Sequence, residues 1–205
     1  HFVYASSSSV YGANTKLPFS IKDRVDDPVS LYAATKKSME MISESYARMF
    51  AIPLTGLRFF TVYGPWGRPD MAAFIFVKKI LAGEPIPVFN NGDMRRDFTF
   101  IDDIVAGVIG CLDKPALEVD GKMPHRVYNI GNNKSESLMD FVAEIEKSLG
   151  KKAEIDFQPM QPGDVRETFA DIDDTRRDFG FDPRTSMPEG VAKFIAWYTD
   201  YYGVT

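Results

Sequence analysis

Apolar positions along the chain alternate between short continuous runs and helical spacing. Phe2–Ala5 is short, apolar and aromatic and leads into Ser6-Ser7-Ser8-Ser9 and Gly12, which reads as a buried strand entering a loop. Ser30 opens a long helix reaching about Phe50, with apolar and small residues Leu31, Ala34, Met39, Ile42, Tyr46 and Met49 at roughly helical spacing. Ile52-Pro53 ends it, and Leu54–Phe60 reads as a second strand. Beyond a loop rich in Gly, Pro and Arg at Gly64–Met71, Ala72–Ala82 is an amphipathic helix closed by Gly83. Ile86–Phe89 is a short strand, Asn91-Gly92 a turn and Asp97–Ile101 a strand. Asp102 or Asp103 is then placed to cap a helix over Ile104–Leu112. Val127–Ile130 and Ile155–Phe157 read as strands. Between them, Ser137 with Asp140 resembles a capping box for a helix through Leu149, stopped by Gly150. Asp173–Phe179 and Pro188–Tyr202 are the last helices, the second with proline in its first turn. Strands alternating with helices predict an α/β fold with a partly parallel sheet.

Composition narrows the function classes. A chain of 205 residues, 44% apolar and 26% charged, is that of a globular protein able to bury a core. A net charge of −5 argues against nucleic acid or an anionic membrane as partner, although local arginines can still bind a small anion. The single cysteine, Cys111, excludes a disulfide framework and suggests a reducing, cytoplasmic setting; within the apolar run Ile104–Leu112 it reads as a core residue. That run is too short to cross a bilayer, and no signal peptide is visible. His1 and His125 stand apart without ligand-like spacing, so a metal centre is not expected.

The candidate chemistry lies at two places. Tyr32 and Lys36 are four apart in the long helix and therefore share one face. A tyrosine titrates near ~10, and lowering that by roughly three units takes about 4 kcal/mol, which nearby cations can supply. A phenolate so stabilised is a general base near neutral pH. Taken alone, the pair reads more simply as an edge tyrosine beside a solvated lysine. The serine run follows a predicted strand directly, and ligands of parallel sheets sit outside the carboxyl ends of strands. Hydroxyls there can share a proton with a phenolate and hydrogen-bond a substrate.

Three segments in order, Tyr4-Ala5-Ser6-Ser7-Ser8-Ser9-Val10-Tyr11-Gly12, Tyr32-Ala33-Ala34-Thr35-Lys36 and Arg58-Phe59-Phe60-Thr61-Val62-Tyr63-Gly64-Pro65, resemble the extended short-chain dehydrogenases/reductases. Gly64-Pro65-Trp66-Gly67-Arg68-Pro69-Asp70-Met71-Ala72, Phe89–Thr99 and Gln161-Pro162-Gly163-Asp164-Val165 look like the UDP-glucuronate 4-epimerases within that family. The resemblance implies the C-terminal part of a Rossmann-type doubly wound parallel sheet, with a smaller interleaved α/β substrate-binding domain. Residues 1–66 and 97–133 would belong to the dinucleotide-binding domain, and 67–96 and 134–205 to the nucleotide-sugar domain. Tyr32, Lys36 and Ser7 or Ser8 would carry catalysis; Tyr32, Lys36 and Phe59 would contact NAD. Arg96 would contact the nucleotide diphosphate, Thr61 and Arg68 the sugar carboxylate. Ser9, Phe89 and Arg166 complete the implied UDP-sugar site. A homodimer is expected from the same resemblance.

The implied reaction is transient oxidation at C4 followed by hydride return to the other face. Related 4,6-dehydratases carry an acid pair where this chain has Ser8-Ser9, and UDP-glucuronate decarboxylases a glutamate at the position of Ser9. Serines are poor at the acid and base work these reactions need. Thr61, in place of the asparagine usual for neutral sugars, speaks against UDP-glucose 4-epimerase. A non-catalytic sugar-nucleotide-binding protein is the reading from another class. No Gly-rich turn between a strand and a helix, followed by a ribose-binding acid, occurs in these residues. The opening at His1 in an apolar run leads us to expect that such a segment precedes it, and that this chain alone neither holds NAD tightly nor epimerises.

Overall fold

β1 (Phe2–Ser7), β2 (Leu54–Phe59) and β7 (His125–Ile130) form a parallel sheet in the order β1-β2-β7 in the computed structural model, which describes residues 1–116 and 123–204. Residues 117–122, inside the stretch 97–133 discussed above, and Thr205 lie outside the described residues. Ser7 pairs in register with Phe59, and Phe59 with Ile130, so the three carboxyl ends finish level with one another. Parallel neighbours need a crossover, and α1 (Leu31–Phe50) supplies it between β1 and β2. Ser30 caps α1, its Oγ accepting from the Ala33 amide at 3.1 Å. The helix ends at Ala51 in the left-handed region (φ 51°), ahead of Ile52-Pro53.

The apolar positions that mark α1 as a helix do not mark its inner face. Leu31, Ile42, Tyr46 and Met49 are exposed, whereas Ala33, Glu40 and Ala47 are buried. The two alanines let the helix approach the sheet closely. Glu40 tolerates burial because it finds partners on both β1 and β2.

β3 (Thr61–Tyr63) pairs in parallel with β6 (Phe98–Phe100), and β4 (Ile86–Val88) with β9 (Ile155–Phe157). β5 (Arg95–Arg96) pairs antiparallel with β8 (Glu136–Ser137); both are too short for any alternation to announce them. α2 (Ala72–Ala82), α4 (Leu138–Leu149) and α6 (Met187–Tyr202) close over these strands around one apolar cluster. At its centre Phe98 stacks on Phe141 with ring centres 4.2 Å apart and planes 7° from parallel. A second cluster, with Tyr11, Phe19, Leu57, Phe60, Cys111 and Ile130, packs the three-stranded sheet against α3 (Ile101–Leu112) and the neighbourhood of α5 (Asp173–Phe179). Ala170, Ile172 and Phe181, from the stretch 134–205, belong to this second cluster.

Two capping expectations come out differently. Ser137 caps α4 as anticipated, accepting from the amides of Met139 (3.1 Å) and Asp140 (3.4 Å). Neither Asp102 nor Asp103 caps α3, because β6 runs straight into the helix at Ile101 and leaves both aspartates inside the first turn. There they complement the helix dipole. Asp103 also accepts from the amides of Arg184 (3.2 Å) and Thr185 (3.0 Å), tying the segment before α6 to α3. Among the described residues no helix is long and apolar enough to cross a membrane.

Candidate active site

The serine run turns sharply where β1 ends. Ser7 is still extended (φ −155°), and its Oγ accepts from the Ser9 amide at 3.2 Å and donates to Ser9 Oγ at 3.2 Å. That bond caps a single 3₁₀ turn over Ser8–Tyr11 and leaves Ser8 and Ser9 half-buried at the strand's carboxyl end. Gly12 releases the chain with φ 55°, where a Cβ would lie 1.8 Å from the Asp27 carbonyl oxygen, so no larger residue fits.

The first turns of α1 stand beside these serines. Lys36 Nζ donates to the carbonyl of Ala5 at 2.8 Å and lies 5.7 Å from the centre of the Tyr32 ring. Tyr32 is half-exposed and not packed into the interior. An ammonium thus sits between the strand end and the phenol ring.

Opposite the serines, Thr61 of β3, Arg96 of β5 and Asp164 form a wall common to two cavities. The first, ≈ 170 Å³, is lined on its other side by Ser8, Ser9, Gly12 and Ser30. The second, ≈ 240 Å³, is mostly apolar and runs between Phe89, Pro87, Met94 and Phe98, with Asp70 at its edge. They make one cleft, polar at the serines and apolar beyond Arg96. Arg96 is fixed by three contacts: Nη2 donates to Asp164 Oδ1 at 2.6 Å, and Nη1 to the carbonyls of Arg95 (2.9 Å) and Arg166 (3.1 Å). Burial pulls its pKa down and Asp164 partly offsets this; a guanidinium keeps its charge regardless. Asp164 is brought across by Gly163 (φ 78°), whose missing Cβ would meet the Val29 carbonyl oxygen at 2.8 Å.

Beneath this wall Asp97 is fully buried and accepts four hydrogen bonds. Asn132 N (2.5 Å) and Thr99 Oγ1 (2.9 Å) reach Oδ1; Asn133 N (3.1 Å) and Ala170 N (3.0 Å) reach Oδ2. Burial raises its pKa to about 6 against the pull of these donors. Asp97 thereby staples β6, the chain after β7 and the segment before α5 directly below Arg96.

The sequence profile of the NAD dependent epimerase/dehydratase family matches residues 1–131. This chain belongs to that family. Protein CapI of Staphylococcus aureus is 52% identical over 98% of this chain and 64% of its own length. UDP-glucuronate 4-epimerase 1 of Arabidopsis thaliana is 48% identical over 98% of this chain and 49% of its own length. The solved structure of UDP-glucuronic acid 4-epimerase from Bacillus cereus, in complex with UDP-glucuronic acid and NAD, superposes with a TM-score of 0.88 at 35% identity. That match covers 98% of this chain and 62% of the other. The chain therefore spans less than two-thirds of the relatives it matches.

Within this epimerase/dehydratase fold the residues singled out from sequence separate into two groups. Ser8, Ser9, Thr61, Phe89 and Arg96 line the cleft, with Ser7 at the strand end and Tyr32 and Lys36 on the adjoining helix. Three lie elsewhere. Arg68 is exposed and forks onto Asp70, Nε to Oδ1 at 3.0 Å and Nη2 to Oδ2 at 2.8 Å, so it is Asp70 that reaches the cleft. The Asp70 carboxylate, with a smaller contribution from Tyr32, pushes the Arg68 pKa up. Arg166 is exposed and pairs with Asp93 (Nη2 to Oδ1, 3.0 Å), lining a separate cavity with Asn14 and Thr15. Its link to the cleft is its carbonyl, which holds Arg96. Phe59 packs on the core below the three-stranded sheet, although its backbone is level with Ser7.

Asp164, Asp70 and the Asp97 staple were not anticipated as site residues. Asp164 stood inside a quoted motif, but nothing local says that a loop so distant in sequence closes on Ser8. His1 and His125 are engaged within the fold, by Thr55 Oγ1 (2.9 Å) and the Tyr4 hydroxyl (2.8 Å). Among the described residues no group of three or more His, Cys, Asp or Glu could hold a metal ion.

Proposed function

We propose that the protein to which this chain belongs interconverts UDP-glucuronate and UDP-galacturonate by NAD-dependent epimerisation at C4. The observation that carries this reading is Lys36, which lies 5.7 Å from the Tyr32 ring and donates to Ala5 just before the serine turn whose Ser8 and Ser9 line a cleft walled by Arg96. The relatives' names and the ligands in the Bacillus cereus structure support the same substrate class.

The residues present fit the reacting end of the cofactor. Lys36 keeps ammonium hydrogens beyond the one given to Ala5, enough for a ribose hydroxyl, and Tyr32 is open to the same side. Phe59, whose side chain packs on the core, is assigned there through its backbone alone, which is level with Ser7. NAD, when bound, supplies the hydride acceptor and donor for C4. The chain's own work is proton handling and orientation. Tyr32, as phenolate, takes the proton of the C4 hydroxyl and later returns one to the C4 oxygen. Ser7 or Ser8 hydrogen-bonds that oxygen and holds it toward Tyr32. Arg96 takes the diphosphate, exchanging Asp164 for phosphate oxygens. Thr61, and Arg68 released from Asp70, hold the sugar carboxylate out of alignment with the C4 carbonyl and so prevent decarboxylation. Ser8 and Ser9 offer neither the acid that dehydration needs nor the extra base that enolisation needs.

The exposed stripe of Leu31, Ile42, Tyr46 and Met49 on α1 is the surface a homodimer would bury, and we place the enzyme in the cytoplasm without nucleic-acid or membrane partners. The test is proton NMR of UDP-glucuronate incubated with the full-length protein and NAD. The expected product is the 4-epimer; a UDP-pentose, or turnover of UDP-glucose alone, overturns the assignment in favour of a decarboxylase or a neutral-sugar epimerase.

A further inference from the structure

Tyr32, Lys36 and Glu40 are spaced four apart on one face of α1. Unlike the other two, Glu40 is buried, at 3% exposure, as are Ala33 and Ala47 on the side of α1 that meets the sheet. Its carboxylate is fully engaged. Oε1 accepts from Ser6 Oγ at 2.6 Å and from Arg58 Nε at 2.8 Å; Oε2 accepts from Arg58 Nη2 at 2.9 Å. Arg58 is equally buried and lays its guanidinium 4.9 Å from the centre of the Tyr11 ring. The Tyr11 hydroxyl donates to Asn129 Oδ1 at 2.6 Å. One ion pair therefore ties α1 to β1, to β2 and, through Tyr11, to the last residue of the serine turn.

Such a pair is a poor way to gain stability. Taking two charges out of water is costly, and apolar side chains of similar volume commonly serve as well or better. Arg58 Nη1, buried without a hydrogen-bond partner, adds to that cost. What the pair offers instead is direction. A bidentate fork fixes distance and angle, whereas apolar contact is non-directional. The anchor also lies next to the active lysine's own: Glu40 holds Ser6 while Lys36, one helical turn earlier, holds Ala5.

We infer that Glu40 and Arg58 are a positioning pair that sets the height and rotation of α1, and thereby the placement of Tyr32 and Lys36 against the strand-end serines. The activity readout rests on the epimerase reading above. Neither residue touches substrate; both act through Tyr32 and Lys36. A misplacement of about 1 Å at reacting groups can cost roughly 100-fold in rate, so the effect is expected in kcat.

The test uses the full-length protein with two variants. Glu40→Met/Arg58→Met replaces the pair by apolar side chains of similar length. It is expected to keep its melting temperature within a few degrees and KM for UDP-glucuronate within about twofold, while kcat falls at least about tenfold. The kcat–pH profile is expected to move, which loss of fold alone would not do. Glu40→Gln keeps the Oε1 contacts to Ser6 and Arg58 Nε but turns an amide N–H toward Nη2 and leaves the buried Arg58 charge uncompensated, and is expected to lower kcat at least about threefold together with the melting temperature. Wild-type kcat and pH profile in the folded double variant overturn the inference; if that variant does not fold, wild-type values in Glu40→Gln do so. Hydrogen exchange separates this from a failure of the functional reading. Amides 34–40 of α1 are expected to exchange at least about tenfold faster in the double variant, with α4 unchanged. Unaltered exchange there overturns the positioning role whatever reaction the protein catalyses.

Discussion

Arg96 Nη2 and Asp164 Oδ1 meet at 2.6 Å although 68 residues separate them in the chain. The pair joins β5 to the strap over the N-terminus of α1, and both residues face both parts of the cleft. It leaves one guanidinium, already stripped of much of its water, as the cation facing the space between the serines and Phe89.

That cation is assigned to the diphosphate, so Arg96→Ala is expected to weaken UDP binding by roughly 10- to 100-fold, the worth of one or two charge-assisted hydrogen bonds. Titration calorimetry of UDP against this chain and the variant checks it. Equal affinities would remove Arg96 from the nucleotide site.

Asp97 predicts a pH signature with a definite sign. Burial lifts its carboxyl to about 6, above the ordinary aspartate value of 3.8, so the folded state binds its proton more tightly than the unfolded chain. Its contribution is fully present below about 4 and is lost as pH rises to about 6, at most about 3 kcal/mol for two units. Asp97→Asn abolishes that titration and turns an amide N–H₂ toward donors that need an acceptor, at a cost of about 1–3 kcal/mol. Urea unfolding of both proteins from pH 4 to 8 should show the wild-type advantage shrinking up to pH 6 and constant above 7. An advantage that grows with pH would mean that the four donors outweigh burial.

Tyr32→Phe and Lys36→Met remove the hydroxyl and the ammonium to which we assign the proton transfer. In the full-length protein each is expected to lower kcat by about 10²- to 10⁴-fold while UDP affinity stays within about twofold. Ser7→Ala and Ser8→Ala, assayed beside them, assign the catalytic hydroxyl to whichever variant loses more. Normal turnover in Tyr32→Phe would falsify the general-base assignment.

Thr61 lines both parts of the cleft, whereas Arg68 reaches it only by leaving Asp70. Loss of the carboxylate clamp is expected to release carbon dioxide and a UDP-pentose from Thr61→Ala, and more from Thr61→Ala/Arg68→Ala. Proton NMR reads both products. Unimpaired uronate binding with no carbon dioxide from the double variant removes the clamp.

The local signals that announce elements were sufficient for most of this fold. Ser30, Gly83, Ser137 and Gly150 bound their helices where capping chemistry puts them, and Ala72–Ala82, Ile155–Phe157 and Asp173–Phe179 coincide with the expected spans. The Tyr32–Lys36 spacing and the serines after β1 are likewise local, because helix period and strand end are properties of a few neighbouring residues. Three things were not legible. The inner face of α1 is chosen by Ala33, Glu40 and Ala47, since close approach to the sheet favours small side chains over the apolar ones that carried the pattern. Asp102 and Asp103 lie within a first turn because β6 enters α3 without a break. Residue type does not separate Arg68, Arg96 and Arg166, yet Arg96 lines the cleft, whereas Arg68 forks onto Asp70 at its edge and Arg166 pairs with Asp93 away from it. Sequence determined which elements form and which side chains could do chemistry, because propensity, capping and period act over a few residues. Only the tertiary structure decided which arginine meets the serines and which carboxylate is buried beneath them, because those contacts depend on chain crossings tens of residues apart.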